Sequence, residues 1–159
     1  MPAILFVCTA NICRSPMAMG LFKSKIGDEI SKWRIESAGT WAIEGLAASV
    51  NSQQVLLDRQ IDLSNHTSRP IEQLDLNEFD LILVMEHGHK EAIKGEFPEV
   101  SNRVFLLYEM IGYKKDVYDP YGSHLVDYAE TADELDRILT EGMGKIKELA
   151  YKNEKIRIQ

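Results

Sequence analysis

The stretch Ile4–Ala18, "ILFVCTANICRSPMA", limits what this chain can fold into more than any other segment. "AILFVC" is a continuous apolar run of strand length, and between Pro16 and Ile26 the residues Met17, Leu21 and Phe22 recur at helical spacing. A buried strand therefore feeds a helix through the eight residues Cys8–Ser15. Pro16 suits a first helical turn, where its missing N–H would have had no partner, and Ser15 reads as the N-cap.

The rest of the chain repeats this alternation. "WRIESAG" predicts a second strand ending near Ser37, Val50–Arg59 a second helix, "FDLILVM" (Phe79–Met85) a third strand, "HKEAIKGEF" a short helix and "RVFLLY" a fourth strand. "KKDVYDPYGSH" reads as a loop. Leu135, Ile138, Leu139, Gly142, Ile146, Leu149 and Ala150 share one face of a long final helix, and Thr131 with Glu134 matches a capping box for its start. Alternating strands and helices imply right-handed crossovers, hence an α/β fold with a four-stranded parallel sheet and helices on both faces. A single domain over residues 1–159 is expected, since 45% hydrophobic residues can build one core burying about 70% of the unfolded surface. Ligands bind such sheets at the carboxyl ends of the strands. Cys8–Ser15 lies at that edge, and the loop carrying Asp119 should reach it after the fourth strand.

Composition narrows the function. A net charge of -7 argues against nucleic acid or an anionic membrane surface as the main partner, so any anion site must be local. No basic leader precedes the first strand and no run approaches roughly 18 apolar residues, which points to a cytoplasmic, soluble chain. Two cysteines are too few for a disulfide scaffold or a four-ligand zinc site. His87 and His89 form a His-x-His pair, but no carboxylate or cysteine pattern completes a metal site, and both read as the solvated start of a helix. No metal or cofactor is expected.

The loop itself suggests chemistry. Backbone N–H groups between a buried strand and a helix N-terminus can turn inward around one anion, for which phosphate is the natural guest. A thiol at the strand end would form the floor of this cradle. The helix dipole, the N–H groups and Arg14 would all favour its ionised form, making Cys8 a nucleophile. The planar fork of Arg14 can take two phosphate oxygens and grip them harder as charge spreads in the transition state, which lysine would not do. Ser15 can donate its hydroxyl to Cys8, and Asp119 can supply the proton an aryl phosphate ester needs on leaving. Asp-Pro is also a common turn pair, so Asp119 gains its role only together with the cysteine loop.

The run Cys8-Thr9-Ala10-Asn11-Ile12-Cys13-Arg14-Ser15-Pro16, followed late in the chain by Asp119-Pro120-Tyr121, resembles the low-molecular-weight protein tyrosine phosphatases over essentially the whole length. The resemblance implies a metal-free reaction in which Cys8 attacks phosphorus, Arg14 binds phosphate and Asp119 protonates the leaving phenolate, then activates water. It implies that Thr9, Ala10, Asn11, Ile12, Cys13 and Ser15 line the bound phosphate. Tyr121 is similar to an aromatic wall of the family's cleft, and Trp41 in "SAGTW" suits the opposite wall. Asn11, Ser37 and His66 match positions that hold the loop in shape. Cys13 matches a thiol that can close a disulfide with Cys8 and shield it from irreversible oxidation. Family members usually carry Gly where this chain has Ala10, and a positive φ there would cost Ala roughly 1 kcal/mol.

Neighbouring functions separate on single residues. Arsenate reductases of this scaffold use further cysteines beyond the loop, and this chain has none after Cys13. In the phosphoarginine phosphatase branch a smaller hydroxyl residue tends to stand where this chain has Ile12, so Ile12 points to phosphotyrosine. A non-enzymatic phosphoprotein sensor or a phosphocarrier would need no general acid at Asp119. The expected partners are phosphotyrosine proteins, with a bacterial tyrosine kinase of polysaccharide export as one candidate.

Overall fold

The computed structural model describes residues 1–159. Four strands, β1 (Ala3–Cys8), β2 (Arg34–Gly39), β3 (Leu81–Val84) and β4 (Val104–Leu106), form one sheet in the order β2-β1-β3-β4. Every neighbouring pair is parallel, with Cys8 opposite Gly39 and Val7 opposite Val84 at the carboxyl edge. The helices are α1 (Arg14–Ile26), α2 (Val50–Leu57), α3 (His87–Glu96) and α4 (Leu125–Arg157).

Alternation along β1 explains the layers. Ile4, Phe6 and Cys8 point into the larger core with Met17, Phe22 and Leu135, while Ala3, Leu5 and Val7 join Ile82, Ile93 and Leu106 on the opposite face. Helices α1, α2 and α4 pack together on the first face, and α3 lies against β3 and β4. The parity of β1 thus sends Cys8 toward α1. Phe6, Phe22, Trp33 and Tyr151 form a chain of tilted and edge-on rings, with centroids 5.7, 5.6 and 5.4 Å apart, that joins β1, α1 and α4. At the far edge of the sheet the fully buried Asp80 carboxylate takes the N–H of Ala3 at 2.7 Å and the Arg157 Nε at 2.7 Å. A buried carboxylate requires such partners, and this one ties the start of β1 to the end of α4.

Several boundaries differ from the sequence reading for local reasons. Helix α4 starts at Leu125 rather than at Thr131, whose hydroxyl instead donates to the Asp127 carbonyl at 3.0 Å within the helix. Leu125 and Val126 are exposed, so the first turns lack the apolar stripe that marks the rest. Helix α1 starts at Arg14 and its N-cap position is Cys13, not Ser15, because the Ser15 hydroxyl is engaged in the loop described below. Helix α2 stops at Leu57 and α3 starts at His87. Strand β4 ends at Leu106, where the Glu109 carboxylate takes the Leu106 N–H at 3.3 Å and the chain turns into a 3-10 helix.

Phe22 is fully buried between Phe6 and Trp33, so Phe22→Ala is expected to lower stability by about 3–5 kcal/mol, measured by urea denaturation.

Candidate active site

The loop after β1 is shaped by Asn11. It has φ +59°, the only positive φ in the loop, and is fully buried. The strain anticipated at Ala10 therefore falls one residue later, on an amide side chain that tolerates the left-handed region better than alanine. Asn11 Nδ2 donates to Ser15 Oγ at 2.8 Å and to Ser37 Oγ at 3.0 Å, while Oδ1 accepts the Arg69 N–H at 3.1 Å. Its backbone carbonyl lies 2.8 Å from His66 Nε2. Burial first, then the neighbouring Arg69 and Lys23 cations, hold the pKa of His66 below its ordinary value, against the opposing bond to Asn11. Ser37 and His66 thus both meet Asn11, one through its side chain and one through its backbone.

Close approach of β2 completes the cradle. Thr40 N–H donates to the Cys8 carbonyl and Trp41 N–H to the Thr9 carbonyl, each at 3.0 Å. At Gly39 a Cβ would lie 2.3 Å from the Thr9 carbonyl oxygen, so only glycine fits against the loop.

Ser15 Oγ is 3.0 Å from Cys8 Sγ. That oxygen accepts from Asn11, and its own hydrogen has two acceptors in reach, the Cys8 sulfur at 3.0 Å and the Ala38 carbonyl at 3.5 Å, the sulfur being the nearer. Arg14 is only 1% exposed. One terminal nitrogen donates to the Val117 carbonyl at 2.9 Å, and the other meets Glu86 Oε2 at 2.8 Å and Asp119 Oδ2 at 3.4 Å. Its Nε–H is buried with no partner in the protein, an open donor on a side chain that lines the same cleft as Cys8. The Asp119 loop arrives here because Val117 N–H donates to the Met85 carbonyl at the end of β3, at 2.8 Å. Asp119 Oδ1 takes the Tyr121 N–H at 3.1 Å, which orders the turn.

These groups surround a cleft of about 370 Å³ lined by Cys8, Thr9, Ala10, Ile12, Cys13, Arg14, Trp41, Asp119 and Tyr121. Asn11, Ser15, Ser37 and His66 stand behind it. Trp41 and Tyr121 are 86% and 68% exposed, so neither ring belongs to a core. Ile43 and Leu46 extend the apolar wall and had no sequence signal of their own. A larger depression of about 650 Å³ lies on the other side of the support network, beside His66 and Arg69, and holds none of Cys8, Arg14 or Asp119. No group of three or more His, Cys, Asp or Glu side chains is arranged to hold an ion, and no helix is long and apolar enough to cross a membrane.

Cys8 and Cys13 are both free thiols. Cys13 Sγ lies 3.5 Å from Ser49 Oγ and 3.7 Å from the Tyr128 hydroxyl, so it ties the loop to the α2 cap and to α4. Burial pushes its pKa up, and burial followed by the Cys13 contact pushes Tyr128 up to about 12.

His89 departs from the sequence reading. It is not solvated but 5% exposed, with Nε2 2.8 Å from Thr9 Oγ1 and Nδ1 accepting the Glu86 N–H at 3.1 Å. The spacing to His87 was uninformative because the ring faces the loop, whereas His87 stays exposed and pairs with Asp116 at 2.7 Å. Glu86 was missed as well, although it directly follows the apolar run of β3 at the ligand-binding edge. Arg69 and Val117 carried no pattern at all.

The fold and this loop define a class: parallel α/β proteins whose first strand ends in a cysteine under an anion cradle closed by Arg and Ser on the first helix. Residues 3–154 match the family described as Low molecular weight phosphotyrosine protein phosphatase, and the chain belongs to it. A protein-arginine-phosphatase of Bacillus subtilis is 38% identical over 145 residues, covering 91% of this chain and 96% of its own length. The probable low molecular weight protein-tyrosine-phosphatase EpsP of Ralstonia nicotianae is 32% identical over 146 residues, 92% of this chain and 97% of its own. The crystal structure of a low molecular weight protein tyrosine phosphatase from T. tengcongensis matches with TM-score 0.83 at 38% identity, covering 91% of this chain and 99% of that one.

Burial first, then the Arg14 cation, lowers the pKa of His89 from 6.5 to about 4, with Glu86, Asp116 and Asp119 opposing. The unfolded chain therefore binds the extra proton between these values, and stability falls as pH drops from 6.5 toward 4. The expected loss between pH 7 and pH 4.5 is roughly 2 kcal/mol from this group, read as a larger shift of the urea midpoint in the parent than in His89→Gln.

Proposed function

We propose that this phosphatase hydrolyses a phosphorylated protein side chain through a phosphocysteine on Cys8, and that phosphotyrosine is the substrate its cleft fits best. The Cys8 thiolate attacks phosphorus as the bond to the phenolic oxygen breaks. Asp119 gives its proton to that oxygen. Asp119 then takes a proton from water, which attacks phosphorus and releases Cys8 as a thiolate stabilised by the Ser15 hydroxyl. Arg14, with its Nε–H open, and the loop N–H groups hold the phosphoryl oxygens and bind most tightly as charge spreads over them.

The observation that carries the phosphotyrosine reading is Ile12, which with Trp41, Ile43, Leu46 and Tyr121 gives the cleft apolar walls suited to an aryl ring. Whole-chain similarity better supports a second reading, phosphoarginine, since the Bacillus subtilis relative at 38% identity is an arginine phosphatase. A guanidino group brings N–H donors that need acceptors, and Ile12 offers none.

Hydrolysis of phosphotyrosine and phosphoarginine peptides tests both readings. The parent should favour phosphotyrosine in kcat/KM at least tenfold, and Ile12→Thr should shrink that ratio. A parent preference for phosphoarginine would overturn the choice of substrate. Cys8→Ser should abolish turnover and Asp119→Asn should lower kcat by about 10²–10⁴-fold. Activity surviving Cys8→Ser would overturn the mechanism.

Protection of Cys8 by Cys13 belongs to the same proposal. Peroxide converts the Cys8 thiolate to a sulfenic acid, the Cys13 thiol attacks that sulfur, and water leaves as the disulfide forms. Peroxide-treated parent should recover activity with dithiothreitol, and Cys13→Ser should recover more slowly or less fully.

A further inference from the structure

The mechanism leaves one buried polar side chain of the cleft corner unused, His89. Its Nδ1 accepts the backbone N–H of Glu86 at 3.1 Å, so in the neutral ring the proton sits on Nε2. Nε2 is 2.8 Å from Thr9 Oγ1 and must be the donor in that bond. The Thr9 oxygen is therefore an acceptor toward His89, and its own hydrogen has no partner in the protein. Thr9 follows Cys8 directly and lines the cleft. The low pKa of His89 keeps this assignment in place over the physiological range.

From this arrangement we infer that the Thr9 hydroxyl is a hydrogen-bond donor to the substrate's phosphoryl group and that His89 is the positioning residue that aims it. The inference rests on the reading of the cleft as a phosphoryl-transfer site. It adds a side-chain donor on the β3–α3 side of the loop, facing the Asn11, Ser37 and His66 network on the β2 side. Thr9 lies between the nucleophile and His89, and His89 sits one helical turn from Glu86, the carboxylate on Arg14. One corner of α3 thus sets the direction of two phosphate donors, Arg14 through Glu86 and Thr9 through His89.

The test combines turnover of an aryl phosphate with binding of inorganic phosphate by calorimetry, using Thr9→Val, Thr9→Ser, His89→Leu, His89→Gln and the double variant Thr9→Val/His89→Leu. Thr9→Val should lose about tenfold in kcat/KM and in phosphate affinity, as expected for one hydrogen bond to a charged group. Thr9→Ser should stay within about twofold of the parent. His89→Leu should match the loss in Thr9→Val, and the double variant should be no worse than Thr9→Val alone, because His89 acts through Thr9. If His89→Leu does not fold, His89→Gln, whose amide can still donate, takes its place and should retain more activity than Thr9→Val. Parent-like turnover and phosphate affinity in Thr9→Val would overturn the inference, and losses that multiply in the double variant would overturn the role of His89. A parent that binds phosphate and loses affinity in Thr9→Val, yet turns over no phosphate ester, would sink the proposed function and leave this donor standing.

Discussion

The amide of Asn11 is the interaction on which the rest of the site depends. A left-handed residue in the middle of an anion loop is unfavourable by itself, and it persists because both polar atoms of that side chain, in three hydrogen bonds, and the backbone carbonyl are bonded. Those bonds reach α1 through Ser15, β2 through Ser37, and the segment between α2 and β3 through His66 and Arg69. The same amide also reaches Cys8, because the Ser15 oxygen that accepts from Asn11 lies 3.0 Å from the Cys8 sulfur. The shape of the loop and the surroundings of its thiol thus have a common origin.

Arg14 poses the opposite problem, a full charge with almost no exposure. Such a charge is tolerable only when paired, and Glu86, Asp119 and the Val117 carbonyl do this from two different segments. The three partners stand at or beyond the ends of β3 and β4, so the guanidinium is held in place at the carboxyl edge of the sheet. Within a cleft whose other walls are largely apolar, these few charged groups set the local charge whatever the net charge of the chain.

Much of this was legible in the primary structure. Continuous apolar runs marked β1, β3 and β4 because a parallel sheet is buried on both faces, whereas β2, on an edge of the sheet, carries Arg34 and Glu36; the strand–loop–helix opening placed Cys8 at the edge where ligands bind. The helix starts were less visible. The cap signature at Thr131 was stronger than the true start at Leu125, where exposed apolar residues break the stripe. His89 was read as solvated and Glu86 was passed over because their significance comes from tertiary contact across 80 and 72 positions with Thr9 and Arg14, which sequence neighbours do not report. Ala10 attracted attention for a strain that the backbone places on Asn11.

Ile12 occupies an unusual position in this arrangement. Its carbonyl is held by the N–H of Ser49 at 2.8 Å, while its side chain is only partly buried and lines the cleft. The backbone that builds the cradle therefore places few demands on which side chain is carried there. The asparagine clasp, the guanidinium and the thiol are held by contacts that do not involve the Ile12 side chain. Position 12 is thus a point of the loop where the wall of the cleft can change shape while the cradle beneath it keeps its form.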